Sequence, residues 1–313
     1  MKLKKPKFWD YKQPIFISYL LLPFTFPLII NNFFLKLKKN NIKNSKIKKI
    51  CIGNIYVGGT AKTPLTIKMY QILNSLKFKT ATMKKFYADH VDEQKMLAEK
   101  TKLYCLKNRN MFLDKAIRDN IDVVIFDDGL QDRSINYDLE FVCFNNIKWI
   151  GNGLLIPAGP LREKIESIKK YDAAFINGNE IDNSNLRSLI KKYNKTIKIF
   201  ESNYVVINIE KFDINEKYLI FSGIGNPDSF KETLLKYNFS IIKEIIFPDH
   251  HIYTQVDIDK IKAQAQKLNA KIITTEKDYT KINSSNNDDI KYLQIDLKIK
   301  NEIELINYLK LNI

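Results

Sequence analysis

The chain has 313 residues, 45% hydrophobic and 27% charged, with 51 Lys and Arg against 35 Asp and Glu, a net charge of +16. Ten Gly and nine Pro exclude a disordered linker or collagen-like chain, and three Cys exclude a disulfide scaffold. The length favours two domains, and the charge suits an anionic partner as readily as it suits compositional drift toward Lys, Ile and Asn.

Pro14–Leu35 is 22 residues without a charge, and Lys36, Lys38, Lys39, Lys43, Lys46, Lys48 and Lys49 come directly after it. As one straight helix it would extend about 33 Å, enough for a bilayer core. Pro23 and Pro27 interrupt such a helix. The segment is therefore expected to lie in a membrane interface with its lysines on anionic head groups. A full span and a buried hairpin are the alternatives. The basic flank places the rest of the chain on the cytoplasmic side.

After Lys49 short apolar runs alternate with amphipathic stretches. Strands are predicted at 49–54, 80–83, 103–106, 123–126, 141–144 and 173–176, with helices at 64–76 and 111–120. A β-rich run at 198–209 precedes a second series. It comprises strands at 218–221, 241–247, 271–274 and 292–295, helices at 228–237 and 256–268, and a last helix from Glu302. Alternating strands and helices imply parallel βαβ units. The expected organisation is a membrane-associating segment (1–48), a first α/β lobe (49–203), a linker (204–215) and a second α/β lobe (216–313).

The strongest local signal is Gly53-Asn54-Ile55-Tyr56-Val57-Gly58-Gly59-Thr60-Ala61-Lys62-Thr63-Pro64, which leaves a strand and opens a helix. That is the setting of a phosphate-binding loop. Glycines let backbone amides turn onto phosphate oxygens, and the helix N-terminus adds partial positive charge. Lys62 would reach the β- and γ-phosphates, and the Thr63 hydroxyl would ligate Mg²⁺. The strict pattern fails at Tyr56 and Ala61, where it has Gly, so Ala61 needs a backbone angle that a Cβ tolerates. Val123-Val124-Ile125-Phe126-Asp127-Asp128 is an apolar strand ending in two carboxylates, suited to face that Mg²⁺. A Gly-rich turn and a strand-end turn without catalytic meaning are the competing readings.

These segments, with Asp127-Asp128-Gly129-Leu130-Gln131, the run Gly151–Glu163 (GNGLLIPAGPLRE), Phe247-Pro248-Asp249-His250-His251 and Thr274-Thr275-Glu276-Lys277-Asp278, resemble the tetraacyldisaccharide 4'-kinase (lipid A 4'-kinase) family. The motifs stand in register over nearly the whole chain. The resemblance implies a P-loop NTPase-like protein of two α/β/α lobes using ATP and Mg²⁺. It would phosphorylate the 4'-hydroxyl of a tetraacylated glucosamine disaccharide 1-phosphate at the cytoplasmic face of the bacterial inner membrane. Its partners would be that lipid precursor and the anionic membrane surface, with no nucleic acid, and the chain would be a monomer.

By position, the resemblance gives Tyr56–Thr63 and Arg109 to the nucleotide, and Thr63, Asp127 and Asp128 to the metal. Asp92 and His250, with Asp249 beside them, would form the base on the attacking hydroxyl. Chain order puts Asp92 and His250 in different lobes. A helix N-cap for Asp92 and a surface loop for His250 and His90 are the plain alternatives.

Departures from the family pattern crowd the site. Ala61 and Asp132 replace its Gly and His, and Met83-Lys84-Lys85-Phe86-Tyr87 stands where it has Ser-Arg-Gly-Tyr. Lys84 or Lys85 would supply lost charge without arginine's planar fork. A catalytically impaired, membrane-bound nucleotide-binding relative is the alternative these changes raise. A metal-dependent phosphoesterase would need more than three His, and no nucleic-acid module is recognisable.

Overall fold

The computed structural model describes residues 5–37, 46–88, 91–108, 111–132, 134–178, 181–249, 251–282 and 288–313. The chain forms two compact units. The larger comprises Lys5–Tyr87, Leu97–Asn203 and Ile299–Ile313. The smaller holds Ala88–Met96 and Tyr204–Lys298. Two stretches thus depart from chain order: residues 88–96 group with the second series of elements, and the last 15 residues, 299–313, group with the first.

The larger unit begins with α1 (Phe16–Leu20) and α2 (Phe26–Leu37), separated by a 3₁₀ turn at Leu22–Thr25 that contains Pro23. Twelve residues of α2 rise about 18 Å, well short of a bilayer core. Among the described residues no helix is long and apolar enough to cross a membrane. Exposure is inverted here. Phe16, Tyr19, Leu20, Phe24 and Phe26 are exposed, whereas Ser18 and Thr25 are buried. The polar groups find partners inward: Asn152 donates to the Ser18 hydroxyl (3.2 Å) and Asn32 donates to the Arg162 carbonyl (3.0 Å).

The sheet of this unit contains β1 (Lys48–Gly53), β2 (Thr80–Lys85), β3 (Leu103–Leu106), β4 (Val123–Asp127), β5 (Leu139–Asn145), β6 (Ala173–Asn177) and β7 (Lys198–Val206). Their order is β7-β6-β5-β1-β4-β2-β3, with β12 (Ile295–Ile299) beyond β7. The pairs from β7 to β3 are parallel. Parallel strands covered on both faces carry continuous apolar stretches, as Ile50–Ile52 of β1, Val123–Phe126 of β4 and Ala173–Ile176 of β6 do.

Alternate residues serve opposite faces. Cys51, Met83, Val124 and Phe126 pack in one cluster with Phe112 and Ala116 of α5 (Phe112–Arg118) and with Leu186 and Ile190 of α6 (Ser184–Tyr193). Another helix, α3 (Lys62–Ser75), contacts β1, β2 and β4 and buries Leu65, Met69 and Ile72. The terminal α10 (Glu302–Asn312) buries Leu305 and Leu309 and sets Tyr308 edge-on to Phe141 and Phe200, which explains its place in this unit.

The smaller unit is a parallel sheet in the order β11-β10-β8-β9: β8 (Lys217–Ser222), β9 (Ser240–Ile246), β10 (Lys271–Thr275) and β11 (Ile290–Leu293). Tyr218 and Ile220 face α7 (Pro227–Lys236) through Phe230 and Leu234. Leu219 and Phe221 face α8 (Gln255–Lys267) through Ile258, Ile261 and Ala265. The strand expected at 292–295 is instead two: β11 ends at Leu293, β12 begins at Ile295, and they belong to different sheets. At the break the Asn208 side chain accepts from the Gln294 amide (2.9 Å) and donates to the Tyr292 carbonyl (3.0 Å). In this unit α4 (Val91–Lys100) contributes its first turns, and α9 (Glu276–Tyr279) comes directly after β10.

Candidate active site

Strand order sets the first site. With β1, β4 and β2 side by side, the segments leaving their carboxyl ends are neighbours, the place where open α/β sheets bind ligands. Register pairs Ile52 with Asp127 and Lys84 with Asp127.

The loop from Asn54 to Ala61 is braced from both sides. Asn54 donates to the Thr60 hydroxyl (2.9 Å) and to the Gly58 carbonyl (3.3 Å). The Val57 amide donates to the Pro160 carbonyl (2.9 Å), and the Arg162 amide to the Ile55 carbonyl (2.7 Å). Tyr56 does not face the loop's mouth. Its side chain is buried in the core, and its hydroxyl bonds Asp10, a carboxylate also paired with Lys5. Gly58 (φ 145°) takes a conformation that favours glycine. Ala61, at the N-terminus of α3, sits in the left-handed region (φ 64°, ψ 24°), a narrow allowance for a residue with a Cβ.

Beside the loop stand the carboxylates. Thr63 donates to Asp127 Oδ2 (3.1 Å) and Thr66 to Asp127 Oδ1 (3.4 Å). Lys84 Nζ lies 2.6 Å from the same Oδ2 of Asp127. Asp128, also left-handed (φ 58°), pairs with Arg162 (2.9 Å) and Lys62 (3.8 Å). Burial alone would raise the Asp128 pKa. Lys62, Arg162 and Lys84 outweigh burial and hold the carboxyl well below the ordinary carboxylate range.

A second layer fixes Arg162. Gln131 accepts from its guanidinium (3.4 Å) and donates to the Asn54 carbonyl and to Glu163 (both 3.0 Å). Glu163 is also held by Lys170 (2.6 Å). The sequence pattern assigns no role to Arg162, Gln131 or Glu163. The available signal is two charged residues ending a Gly/Pro-rich loop.

Hard oxygen donors suit Mg²⁺, which keeps several waters and takes one or two carboxylates beside a substrate phosphate. The Thr63 hydroxyl with Asp127 and Asp128 is such a set, next to a lysine and a helix N-terminus that suit phosphate. Among the described residues no three His, Cys, Asp or Glu gather into a dedicated metal site. The residues present fit a metal that arrives with its nucleotide.

The smaller unit carries the second site. Asp92, in the first turn of α4, is 3% exposed. Lys277 and Lys281 each lie 3.3 Å from Asp92 Oδ2. Lys277 also meets Glu93 (3.3 Å) and Asp249 (3.7 Å). Lys281 meets Asp278 (2.9 Å) and donates to the Gly223 carbonyl (3.2 Å). Burial alone would lower the Lys277 pKa; Glu93, Asp249 and Asp92 reverse that and raise it. Asp92 and Asp249 therefore share one cation, Lys277, and Asp92 groups with the second series of elements rather than with the first. His251 is taken up elsewhere: its ring stacks on Phe247 and its Nε2 lies 3.1 Å from Asp257, the third helical residue of α8 and part of its capping box with Thr254. His250, Arg109 and His90 lie outside the described residues.

A family model described as LpxK: Tetraacyldisaccharide-1-P 4'-kinase matches residues 18–312. The chain is 48% identical to the tetraacyldisaccharide 4'-kinase of Pelagibacter ubique, covering 100% of this chain and 99% of that one. It is 32% identical to the enzyme of the same description from Rickettsia bellii, covering 96% of each. The fold is similar to a crystal structure of the "apo" form of LpxK from Aquifex aeolicus in complex with ATP. The TM-score is 0.72 at 19% identity, covering 94% of this chain and 98% of that one.

Proposed function

We infer the activity from one premise: the chain belongs to the tetraacyldisaccharide-1-P 4'-kinase family. It is a lipid kinase that transfers the γ-phosphoryl group of ATP to the 4'-hydroxyl of a tetraacylated glucosamine disaccharide 1-phosphate, a step of lipid A biosynthesis. The observation that carries this reading is Lys62 and Thr63, at the head of α3, meeting Asp127 and Asp128 at the end of β4.

In phosphoryl transfer the bond from phosphorus to the acceptor oxygen forms as the β–γ bridge breaks. The protein supplies position and charge. We propose that Gly58–Thr60 and the amino end of α3 cradle the phosphates, with Lys62 on the β- and γ-oxygens and Arg109 adding a further cation. Thr63, Asp127 and Asp128 would hold Mg²⁺, which when bound neutralises phosphate oxygens. Arg162 keeps Asp128 ionised and aimed. Tyr56 and Val57 shape the loop rather than touch the nucleotide: the Tyr56 side chain is in the core and the Val57 amide is already bonded. Asp92, with His250, takes the acceptor proton. Lysines on Asp92 hold its carboxylate in one orientation, as a base needs.

The acceptor is a lipid, and the exposed aromatic face of α1 and α2 supports contact with a membrane surface, which we place at the cytoplasmic face of the anionic inner membrane, with the chain acting as a monomer. The apolar side chains point outward and the polar ones inward, the reverse of an ordinary surface helix. Replacing Phe16, Leu20 and Phe24 together with Asn should release the chain from anionic vesicles in high salt. Unchanged retention would show that some other surface binds.

The activity is tested with purified chain in detergent, labelled ATP, Mg²⁺ and the disaccharide 1-phosphate. Labelled lipid should form, and its rate of formation should fall by at least about 10²-fold with Lys62→Ala or Asp92→Asn. ATP binding without transfer in the unaltered chain would instead identify a nucleotide-binding relative that has lost the reaction.

A further inference from the structure

Lys84 belongs to the Met83–Tyr87 segment that stands where the family pattern has Ser-Arg-Gly-Tyr, and the fold gives it an unusual contact. Its side chain is 4% exposed, and its Nζ lies 2.6 Å from Asp127 Oδ2, the oxygen that also accepts the Thr63 hydroxyl at 3.1 Å. The position is not adjustable. Lys84 and Asp127 are register partners on adjacent parallel strands, and Asp127 is fully buried. Burying an ammonium group is costly unless it is paired this closely.

We propose that Lys84 is a built-in counter-cation of the phosphate loop, which neutralises Asp127 so that nucleotide phosphates bind before a divalent ion is present. The inference rests on reading the loop as a nucleotide site and goes beyond it. In an arrangement without such a lysine, two adjacent carboxylates would repel an incoming triphosphate until Mg²⁺ screened them. Here Asp127 is neutralised from within the sheet, and Asp128 is opposed by Lys62 and Arg162. Nucleotide affinity should therefore depend weakly on metal. The contribution of Asp127 to Mg²⁺ affinity should be small beside those of Asp128 and Thr63.

The test is the equilibrium Kd of ATP for the full chain in detergent, measured in EDTA and again in saturating Mg²⁺. In the unaltered chain the two values should agree within about threefold. Lys84→Met, which keeps the stem and removes the charge, should raise the EDTA value about tenfold or more, the scale of one charge-assisted contact, and leave the Mg²⁺ value nearly unchanged. Lys84→Arg should behave as the unaltered chain does.

Lys84→Met leaves Asp127 buried without that partner, so its unfolding midpoint is measured alongside. If it does not fold, Lys84→Met/Asp127→Asn decides. With both charges gone, its EDTA affinity should stay within about threefold of the unaltered chain, and a tenfold loss would overturn the proposal. An EDTA-to-Mg²⁺ ratio identical in Lys84→Met and the unaltered chain would overturn the proposal and leave the nucleotide site standing. An unaltered chain that binds no ATP under either condition would overturn both.

Discussion

Among the described residues a cluster of carboxylates and lysines stands out in each unit, and the two are built to opposite charge ratios. At the end of β4, Asp127 and Asp128 are met by Lys84, Lys62 and Arg162. At the start of α4, Asp92, Glu93, Asp249 and Asp278 are met by Lys277 and Lys281. The first cluster has cations to spare and suits an anionic ligand. The second spends its cations on its own carboxylates, which suits a base that must stay ionised and aimed, and does not suit phosphate. A lysine beside a buried aspartate thus has different meanings, set by what else the lysine holds.

The largest expected effect separates the two clusters by kinetics. Lys62→Ala should raise the ATP Kd and lower kcat/KM by about 10³-fold, the loss typical of a principal charge stabiliser. Asp92→Asn should lower kcat by about 10²- to 10⁴-fold, the usual worth of general-base catalysis, while the ATP Kd moves less than about threefold. Direct titration with ATP, together with steady-state assays, reads both. A rise in ATP Kd for Asp92→Asn equal to that for Lys62→Ala would break the contrast.

Next comes stability. Lys281 is 9% exposed and joins Asp92 to the fully buried Asp278. Lys281→Met should cost about 3 kcal/mol, because it leaves buried charge uncompensated. Adding Asp278→Asn should recover part of that. Urea unfolding checks the order of the three midpoints, and a double variant no more stable than the single would mean packing, not charge, is at stake.

A smaller effect belongs to Arg162 and depends on pH. The folded pKa of Asp128 is depressed, so its pairing contributes stability above the unfolded carboxylate value of about 4 and loses it as pH falls toward the folded one. Arg162→Met should cost about 1–2 kcal/mol at pH 7, since both partners are partly exposed; most of that deficit should persist at pH 3 and close only as pH falls further toward the depressed folded value. A pH-independent deficit in the thermal midpoint would assign Arg162 to packing.

How far the sequence reveals these clusters depends on distance along the chain. The elements are legible because most parallel strands buried on both faces carry a continuous apolar stretch and are set off by helices. Lys62, Thr63, Asp127 and Asp128 are legible because each lies where a strand ends or a helix begins. Their partners are not. Lys84 reaches Asp127 only because β2 and β4 are neighbours, an order no local pattern states. Lys277 and Asp92 are separated by 185 positions, and no local pattern states that residues 88–96 group with the second series of elements. Tyr56 misleads for the opposite reason: adjacency in a glycine-rich loop says nothing of which way a ring turns, and Asp10 and Lys5 decide it.

The smallest effect concerns the loop's one breach of glycine logic. Ala61 holds a left-handed backbone (φ 64°), which costs a residue with a Cβ about 1–2 kcal/mol. Glycine removes that strain and adds about 0.5–1 kcal/mol of unfolded-state entropy to be lost on folding. Ala61→Gly should therefore stabilise the larger unit by about 0.5 kcal/mol, and the sign is the informative part. The position is buried, but only a methyl group is removed there, so any void is small beside the strain relieved. The same exchange at Asp128, also left-handed (φ 58°), should destabilise, because there the carboxylate is held by Arg162 and Lys62. Opposite signs in chemical unfolding would show that one position keeps its strain without using its side chain, while the other keeps it in order to aim a carboxylate.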